Sequence, residues 1–262
     1  MMVKVYIDPG HGGTDPGAQG NGLKEKDITL KVGKMVNERL DASGFETRMS
    51  RTGDTFPSLS ARTNDANKWG ADFFMSIHVN AGGGEGYEDY RYIKLSASSA
   101  TGKQQAILHK HMKAKSAKFG MKDRGAKSAN FHVLRETNMS AALTELGFID
   151  SSKDAKNLKD SSFLSQMAWG IVDALCEIYG KKPTAPGSDA DKGVIGKLVV
   201  VKDNSDGWLW TYKSANWNDK AVKVKPGEAF TITKELTVRG SKMYQIKSGL
   251  YITASSKYVE VR

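Results

Sequence analysis

The sequence predicts an α/β domain, a mostly parallel sheet with helices on both faces, joined to a small all-β domain. Three observations carry this. Over residues 1 to 180, extended apolar runs alternate with stretches whose apolar residues recur at helical spacing, and helices between strands imply parallel strands covered on both sides. Residues 181 to 193, KKPTAPGSDADKG, are rich in Pro, Gly, Ser and Asp without periodicity, which marks a linker. From 194 to 262 the segments LVVVK, GWLWTY, AVKVK, AFTITK, LTVR, MYQIK and LYITA alternate and are separated by turn residues, the pattern of a small barrel.

The elements follow in order. Val3 to Asp8 is an extended apolar run ending in PGHGG, where glycines give the freedom of a tight loop. Ile28, Val32, Met35, Val36 and Leu40 recur at helical spacing until Ser43 and Gly44 stop them. Phe45 to Met49 reads as a strand, Leu59 to Trp69 as a helix closed by Gly70, and DFFMSIHV, Asp72 to Val79, as a buried strand ending in Asn80, Ala81 and Gly82. A basic helix spans about Lys103 to Phe119, and short strands lie near Phe131 to Leu134 and Ala141 to Leu146. A last helix carries Phe163, Leu164, Met167, Ile171, Leu175 and Ile178.

The 262 residues, 39% hydrophobic and 26% charged, suit a soluble globular protein and exclude general disorder. No apolar run approaches the ~20 residues of a membrane-spanning helix, so no membrane insertion is expected. The start, MMVKVYIDPGHGG, has no charged leader followed by a long apolar segment, so no Sec-type signal peptide is expected. Cys176, the single cysteine, lies in GIVDALCEIYG, which excludes a disulfide framework within one chain and reads as a core thiol. Residues 1 to 180 hold 24 basic against 21 acidic side chains and residues 181 to 262 hold 15 against 8, so the net +7 of the tail points to a polyanionic partner. Nucleic acid, acidic lipid and the anionic polymers of a bacterial wall all belong to that class.

In such sheets, ligands sit outside the carboxyl ends of the strands. His11, His78 and Glu145 each fall at or just past a predicted strand end, and Glu25 at the entrance to the first helix. Two imidazoles and a carboxylate form the ligand set of a catalytic zinc site with an open position, and a second carboxylate beside them can take a proton from water. Taken singly, Glu25 also reads as complement to a helix dipole. A histidine inside FFMSIHVNA and a carboxylate inside AALTELGFI are buried and need partners, a metal, a substrate or a structural ion pair.

DPGHGGTDPGA, GLKEKDITL, SIHVNA and LTELGFID, in this order, closely resemble the zinc-dependent N-acetylmuramoyl-L-alanine amidases of the amidase 3 family, across residues 3 to 179. The resemblance implies one Zn2+ per chain on His11, Glu25 and His78, with Glu145 as the catalytic carboxylate. It also implies peptidoglycan as substrate, cut at the amide between N-acetylmuramic acid and L-alanine. Two positions depart from the pattern: Ser140 stands where the family commonly has a proline, and His132 where an aromatic is frequent. The stretch between His78 and Glu145 is too short for the long plug-like helix of some periplasmic relatives, so no built-in autoinhibition is expected. Arg51 and Arg62 match family positions. Arg62 and Asn80 are candidate substrate contacts, with a structural anchor and a turn cap as the respective alternatives. His109 and His111, two apart on a helix, do not share a face and are expected on a solvated basic surface.

The C-terminal domain resembles bacterial SH3-type (SH3-like) wall-binding modules, chiefly in MYQIKSGLYITASSKYVEV. Trp208, Trp210, Tyr212 and Trp217 are candidates for the aromatic floor of a groove, or for barrel core. Together these features lead to an expected two-domain peptidoglycan hydrolase that binds peptidoglycan and anionic wall polymer rather than nucleic acid. A phage or prophage endolysin, made in the bacterial cytoplasm and acting on the wall after release through a holin or cell lysis, fits best. A sporulation autolysin of the mother cell would look the same. The contrasting class is a non-catalytic protein that binds wall or nucleic acid, and the intact set His11, Glu25, His78 and Glu145 argues against it. A peptidase cutting within stem peptides keeps the chemistry and changes the bond.

Overall fold

The computed structural model describes residues 2–186, 194–238 and 241–262. Two compact units divide the chain, Met1–Thr184 and Ala185–Arg262. Of the expected linker, 187–193 lie outside the described residues.

In the first unit the order is β1 (Lys4–Pro9), β2 (Gln19–Gly20), β3 (Leu23–Lys24), α1 (Glu25–Ala42), β4 (Glu46–Met49), α2 (Leu59–Trp69), β5 (Phe73–Asn80), β6 (Tyr87–Tyr92) and α3 (Ala100–Ala117). Then come β7 (Asp123–Ala129), α4 (His132–Arg135), β8 (Ser140–Phe148), α5 (Ser152–Lys159) and α6 (Ser161–Ile178). The sheet runs β4-β1-β5-β8-β6-β7, and every neighbouring pair is parallel except β6 against β8. The α/β class with a mostly parallel sheet is therefore the one found.

Strand alternation distributes the core between two faces. Val5, Ile7, Phe73, Met75 and Ile77 pack with Val32, Val36 and Leu40 of α1, Leu108 and Met112 of α3, and Phe163, Met167 and Ile171 of α6. Tyr6, Phe74, Ala141 and Leu143 turn the other way, onto Ala66 of α2 and Val133 and Leu134 of α4. Each such aliphatic or aromatic side chain contributes ~1.5–3 kcal/mol on burial. Asp8, Ser76, His78 and Glu145 continue this second alternation toward the carboxyl ends, so they share one face of the rim. Among the described residues, no helix is long and apolar enough to cross a membrane.

Helix α2 matches its sequence signals: Ser58 caps it by accepting from Ala61 N at 3.1 Å, and Gly70 ends it in the left-handed region at φ 69°. The stretch 131–134, expected as a strand, is helix α4, because a short apolar doublet has no period to reveal and both Val133 and Leu134 bury in one turn. Strands β6 (YEDYRY) and β7 (DRGAKSA) lack apolar alternation and were illegible: the polar residues of β6 are paired inside the unit. Cys176 is buried and free.

Contrary to expectation, His109 does not ride a solvated surface, whereas His111 makes an exposed pair. His109 Nδ1 lies 2.6 Å from Oδ2 of Asp89, a fully buried carboxylate that also accepts from Tyr87 Oη and Gln105 Nε2, and its Nε2 lies 3.2 Å from Asp123. His111 Nε2 reaches Glu177 of α6 at 2.6 Å. What the sequence could not show is that α3 lies across β6 and β7, whose acids face it.

The second unit contains β9 (Leu198–Val201), β10 (Leu209–Tyr212), β11 (Lys220–Val224), β12 (Ala229–Val238), β13 (Ser241–Ile246), β14 (Tyr251–Thr253) and β15 (Val259–Val261). They form an antiparallel sheet in the order β11-β10-β14-β13-β12-β9-β15. β12 holds it together: its first residues pair with β9, and after a register shift between Ile232 and Lys234 it continues along β13. Val199, Val201, Val224, Ile232, Tyr244, Ile246, Ile252 and Val259 make the core, with Leu209 packed against it. Trp208 and Trp210 flank Leu209, so alternation turns them away from that core, and they meet edge to face with centroids 5.5 Å apart.

The hydrogen bond to Asp89 raises the His109 pKa above its ordinary 6.5, although burial acts to lower it. The stabilisation is therefore complete below about pH 6.5 and lost as pH rises through the higher folded value. Thermal unfolding of His109→Gln should lack this alkaline decline. An unchanged melting profile across that range would show that the contact does not couple to folding.

Candidate metal centre

The loop after β1 places its groups by backbone constraint. His11 adopts φ 60°, a left-handed conformation that costs a non-glycine residue ~1–3 kcal/mol and persists only when its surroundings enforce it. Two buried arginines do so. Arg62 donates to Asp8 Oδ1 at 2.7 Å and to the carbonyls of Pro9 (2.8 Å), His11 (2.9 Å) and Pro57 (3.0 Å). Arg51 donates to the carbonyls of Pro9, Gly10 and Lys26 and to Thr29 Oγ1. Gly10 is required where it stands, since a Cβ there would fall 2.3 Å from the His78 ring.

Glu25 opens α1. The N–H of Glu25 donates to the carbonyl of Ala18 at 2.9 Å and that of Lys26 to Pro16 at 3.1 Å, so the loop caps the helix and the carboxylate is free to turn inward. Its Oε1 accepts from Val79 N and lies 2.9 Å from His78 Nδ1, and its Oε2 accepts from Ala18 N and lies 3.1 Å from His11 Nε2. Burial acts to raise the Glu25 pKa, but the bonds from His11 and His78 outweigh it and hold the carboxyl well below the usual range. Burial likewise acts to lower His11, and its pairing with Glu25 and Asp15 carries it above its ordinary value.

His11, Glu25 and His78 each offer one ligand atom, all within 4.8 Å of one another, and form the one such group found among the described residues. Asp15 orients the first of them. Its Oδ2 lies 2.8 Å from His11 Nδ1, so that with a metal bound Nδ1–H would stay on Asp15 and Nε2 would supply the ligand lone pair, the arrangement common to metal-binding histidines. This donor chemistry fits a divalent ion of the zinc type.

Glu145 pairs in register with His78 across β5 and β8, and with Glu88 across β8 and β6. Its Oε2 is fully buried with no hydrogen-bond partner. Burial first, then the nearby Glu25 and Glu88, push its pKa well above the usual carboxylate range. Glu88 is also buried, yet it is held low: burial raises it, and Lys127, Arg124 (2.7 Å) and Tyr90 Oη (2.8 Å) more than compensate. Sequence reading missed Glu88, Arg124, Lys127 and Asp15. Asp15 alone had a local signal, its position four residues after His11 in the same loop.

Of the secondary candidates, Arg62 is 2% exposed and donates to Asp8 and to the carbonyls of Pro9, His11 and Pro57, surroundings that support the structural-anchor alternative. Asn80 donates to Glu88 at 2.7 Å and accepts from Ala81 N at 2.8 Å, so it caps the turn and braces the carboxylate network.

An α/β unit with two histidines and a glutamate gathered on its rim is what the fold and site define. Residues 5–177 match the N-acetylmuramoyl-L-alanine amidase family, and the chain belongs to it. It is accordingly a peptidoglycan hydrolase of the amidase type. The endolysin of Bacillus phage SPP1 is 51% identical over 270 residues, covering 100% of this chain and 99% of that one. The sporulation-specific N-acetylmuramoyl-L-alanine amidase of Bacillus subtilis is 48% identical over 207 residues, 78% of each chain. Among solved structures, the catalytic domain of CwlV, an N-acetylmuramoyl-L-alanine amidase from Bacillus (Paenibacillus) polymyxa var. colistinus, superposes with a TM-score of 0.63 at 35% identity, covering 69% of this chain and 100% of that one. Residues 195–259 match a domain of unknown function, DUF5776.

Arg62→Ala should destabilise the first unit by about 3–5 kcal/mol in denaturant unfolding, because it strands the buried Asp8 carboxylate. Unchanged stability together with a raised KM would instead make Arg62 a substrate clamp.

Proposed function

We propose that this amidase is zinc-dependent, holding one zinc ion on His11, Glu25 and His78, with Glu145 as general base and acid. The observation that carries this is the convergence of three ligand atoms within 4.8 Å of one another, with Glu145 in register beside them, its Oε2 buried and without a hydrogen-bond partner. When bound, zinc lowers the pKa of water toward ~7 and draws charge from a carbonyl oxygen. Glu145 takes the proton of the attacking water and hands it to the departing alanine nitrogen. The C–N bond breaks, leaving a carboxylate on the lactyl group and a free amine on the stem peptide. The position of Glu145 suits this work, since it stands in register with His78 beside the three ligand atoms.

The C-terminal unit acts as an SH3-type anchor on the wall. Its net charge of +7 over residues 181 to 262 supports attraction to anionic wall polymer. An endolysin role is supported by the end-to-end match with the phage SPP1 endolysin, whereas the sporulation amidase matches over 78% of the chain.

His78→Ala should lose its zinc in metal analysis, while Glu145→Gln keeps it and loses ~10²- to 10⁴-fold in turnover on purified walls. Near wild-type turnover in Glu145→Gln would sink the general-base assignment, and full zinc content in His78→Ala the ligand set. A chain ending at residue 184 should match the full chain on soluble muropeptides but cease to pellet with purified walls. Undiminished pelleting would place the anchor in the first unit.

A further inference from the structure

The four aromatic candidates of the second unit do not form one groove. Lys223 Nζ stands 3.6 Å from the Trp208 ring centroid and 5.4 Å from that of Trp210, and Lys220 Nζ stands 5.3 Å from Trp210. Those rings are occupied by ammonium groups of their own chain. Trp217 is different. It lines a cleft of about 530 Å³ together with Ser241, Lys242, Thr253, Ala254 and Ser255. Ligand clefts of small molecules span ~300–1,000 Å³.

We propose that this cleft binds a saccharide segment of the wall glycan, and the proposal rests on the wall-binding role given above to the C-terminal unit. A pyranose ring presents an apolar C–H face and an edge of hydroxyls, and the cleft offers the complement of each: one indole, and three hydroxyl side chains that can both donate and accept. Trp217 is ordered in advance. Its ring meets Tyr212 edge to face at 5.3 Å and its Nε1 donates to the Val238 carbonyl at 3.2 Å, so little side-chain freedom is lost on stacking. Thr253 Oγ1 accepts from Ser255 N at 3.2 Å, which leaves its proton to donate to a ligand. The cleft's basic residue, Lys242, is ion-paired with Glu235, so the lining suits a neutral ligand better than a polyanion. Lys220 and Lys223, by contrast, lie over Trp208 and Trp210.

The test is titration of the full chain with the tetramer of N-acetylglucosamine, at low and high salt, alongside pelleting with purified walls. Saturable binding with little salt dependence is expected. Trp217→Ala and the conservative Thr253→Val should each weaken it roughly tenfold or more, the scale of one lost ring contact or hydrogen bond. Trp208→Ala should leave it unchanged. Circular dichroism checks that the variants fold, and Thr253→Val keeps the test decisive if Trp217→Ala does not. No saturable binding, or equal binding by Thr253→Val, overturns the saccharide assignment while leaving wall anchoring intact. If a chain lacking residues 185 to 262 pellets as well as the full chain, the anchoring role itself fails.

Discussion

The buried ion pair between Asp8 and Arg62 is the interaction on which the rim depends. At 2.7 Å, with both side chains almost wholly out of solvent, it fixes the guanidinium whose remaining donors take the carbonyls of Pro9 and His11. Those bonds hold His11 in a backbone conformation it would not choose, and Gly10 lets the His78 ring approach to where a side chain would otherwise stand. A buried pair of this kind contributes little net stability against an apolar replacement. Here its effect is positional, because the carbonyls it gathers belong to the loop that carries His11.

The second organising feature is the opposite treatment of two neighbouring carboxylates. Glu88 and Glu145 face each other across β6 and β8, one surrounded by Arg124, Lys127 and Tyr90, the other left without a partner on Oε2. The cations keep the first ionised, and its charge joins burial and Glu25 in pushing the second toward its neutral form. Environments that separate two carboxyl groups in this way are consistent with different work for each, and with the proton-transfer role proposed for Glu145.

Much of this was legible in the sequence, and what was not has a physical pattern. Strands β1, β5 and β8 announce themselves because both faces are apolar, and α2 because Ser58 and Gly70 mark its ends. His11, Glu25 and His78 stood out as polar groups at strand and helix ends, and the structure brings them together. Strands β6 and β7 stayed hidden because their sequences lack apolar alternation, and the charged residues Glu88, Asp89 and Arg91 of β6 are held by polar partners. His109 looked like a surface residue for the same reason: its partners Asp89 and Asp123 lie on strands that no apolar alternation reveals. In the second unit, the local sequence of Trp208 and Trp210 did not tell inside from outside, which was set by the neighbouring Leu209.

The sheet order has a kinetic consequence. β5 and β8 are neighbours, yet β6, α3, β7 and α4 intervene between them in the chain, and β6 must turn antiparallel to lie beyond β8. A growing chain therefore closes a large loop before His78 meets Glu145, a non-local step of the kind that slows folding. A nascent chain on the ribosome can bring His11, Glu25 and His78 into one loop cluster early, but Glu145 arrives only with the last strand of the sheet. The pairing of His78 with Glu145 is thus completed late in folding.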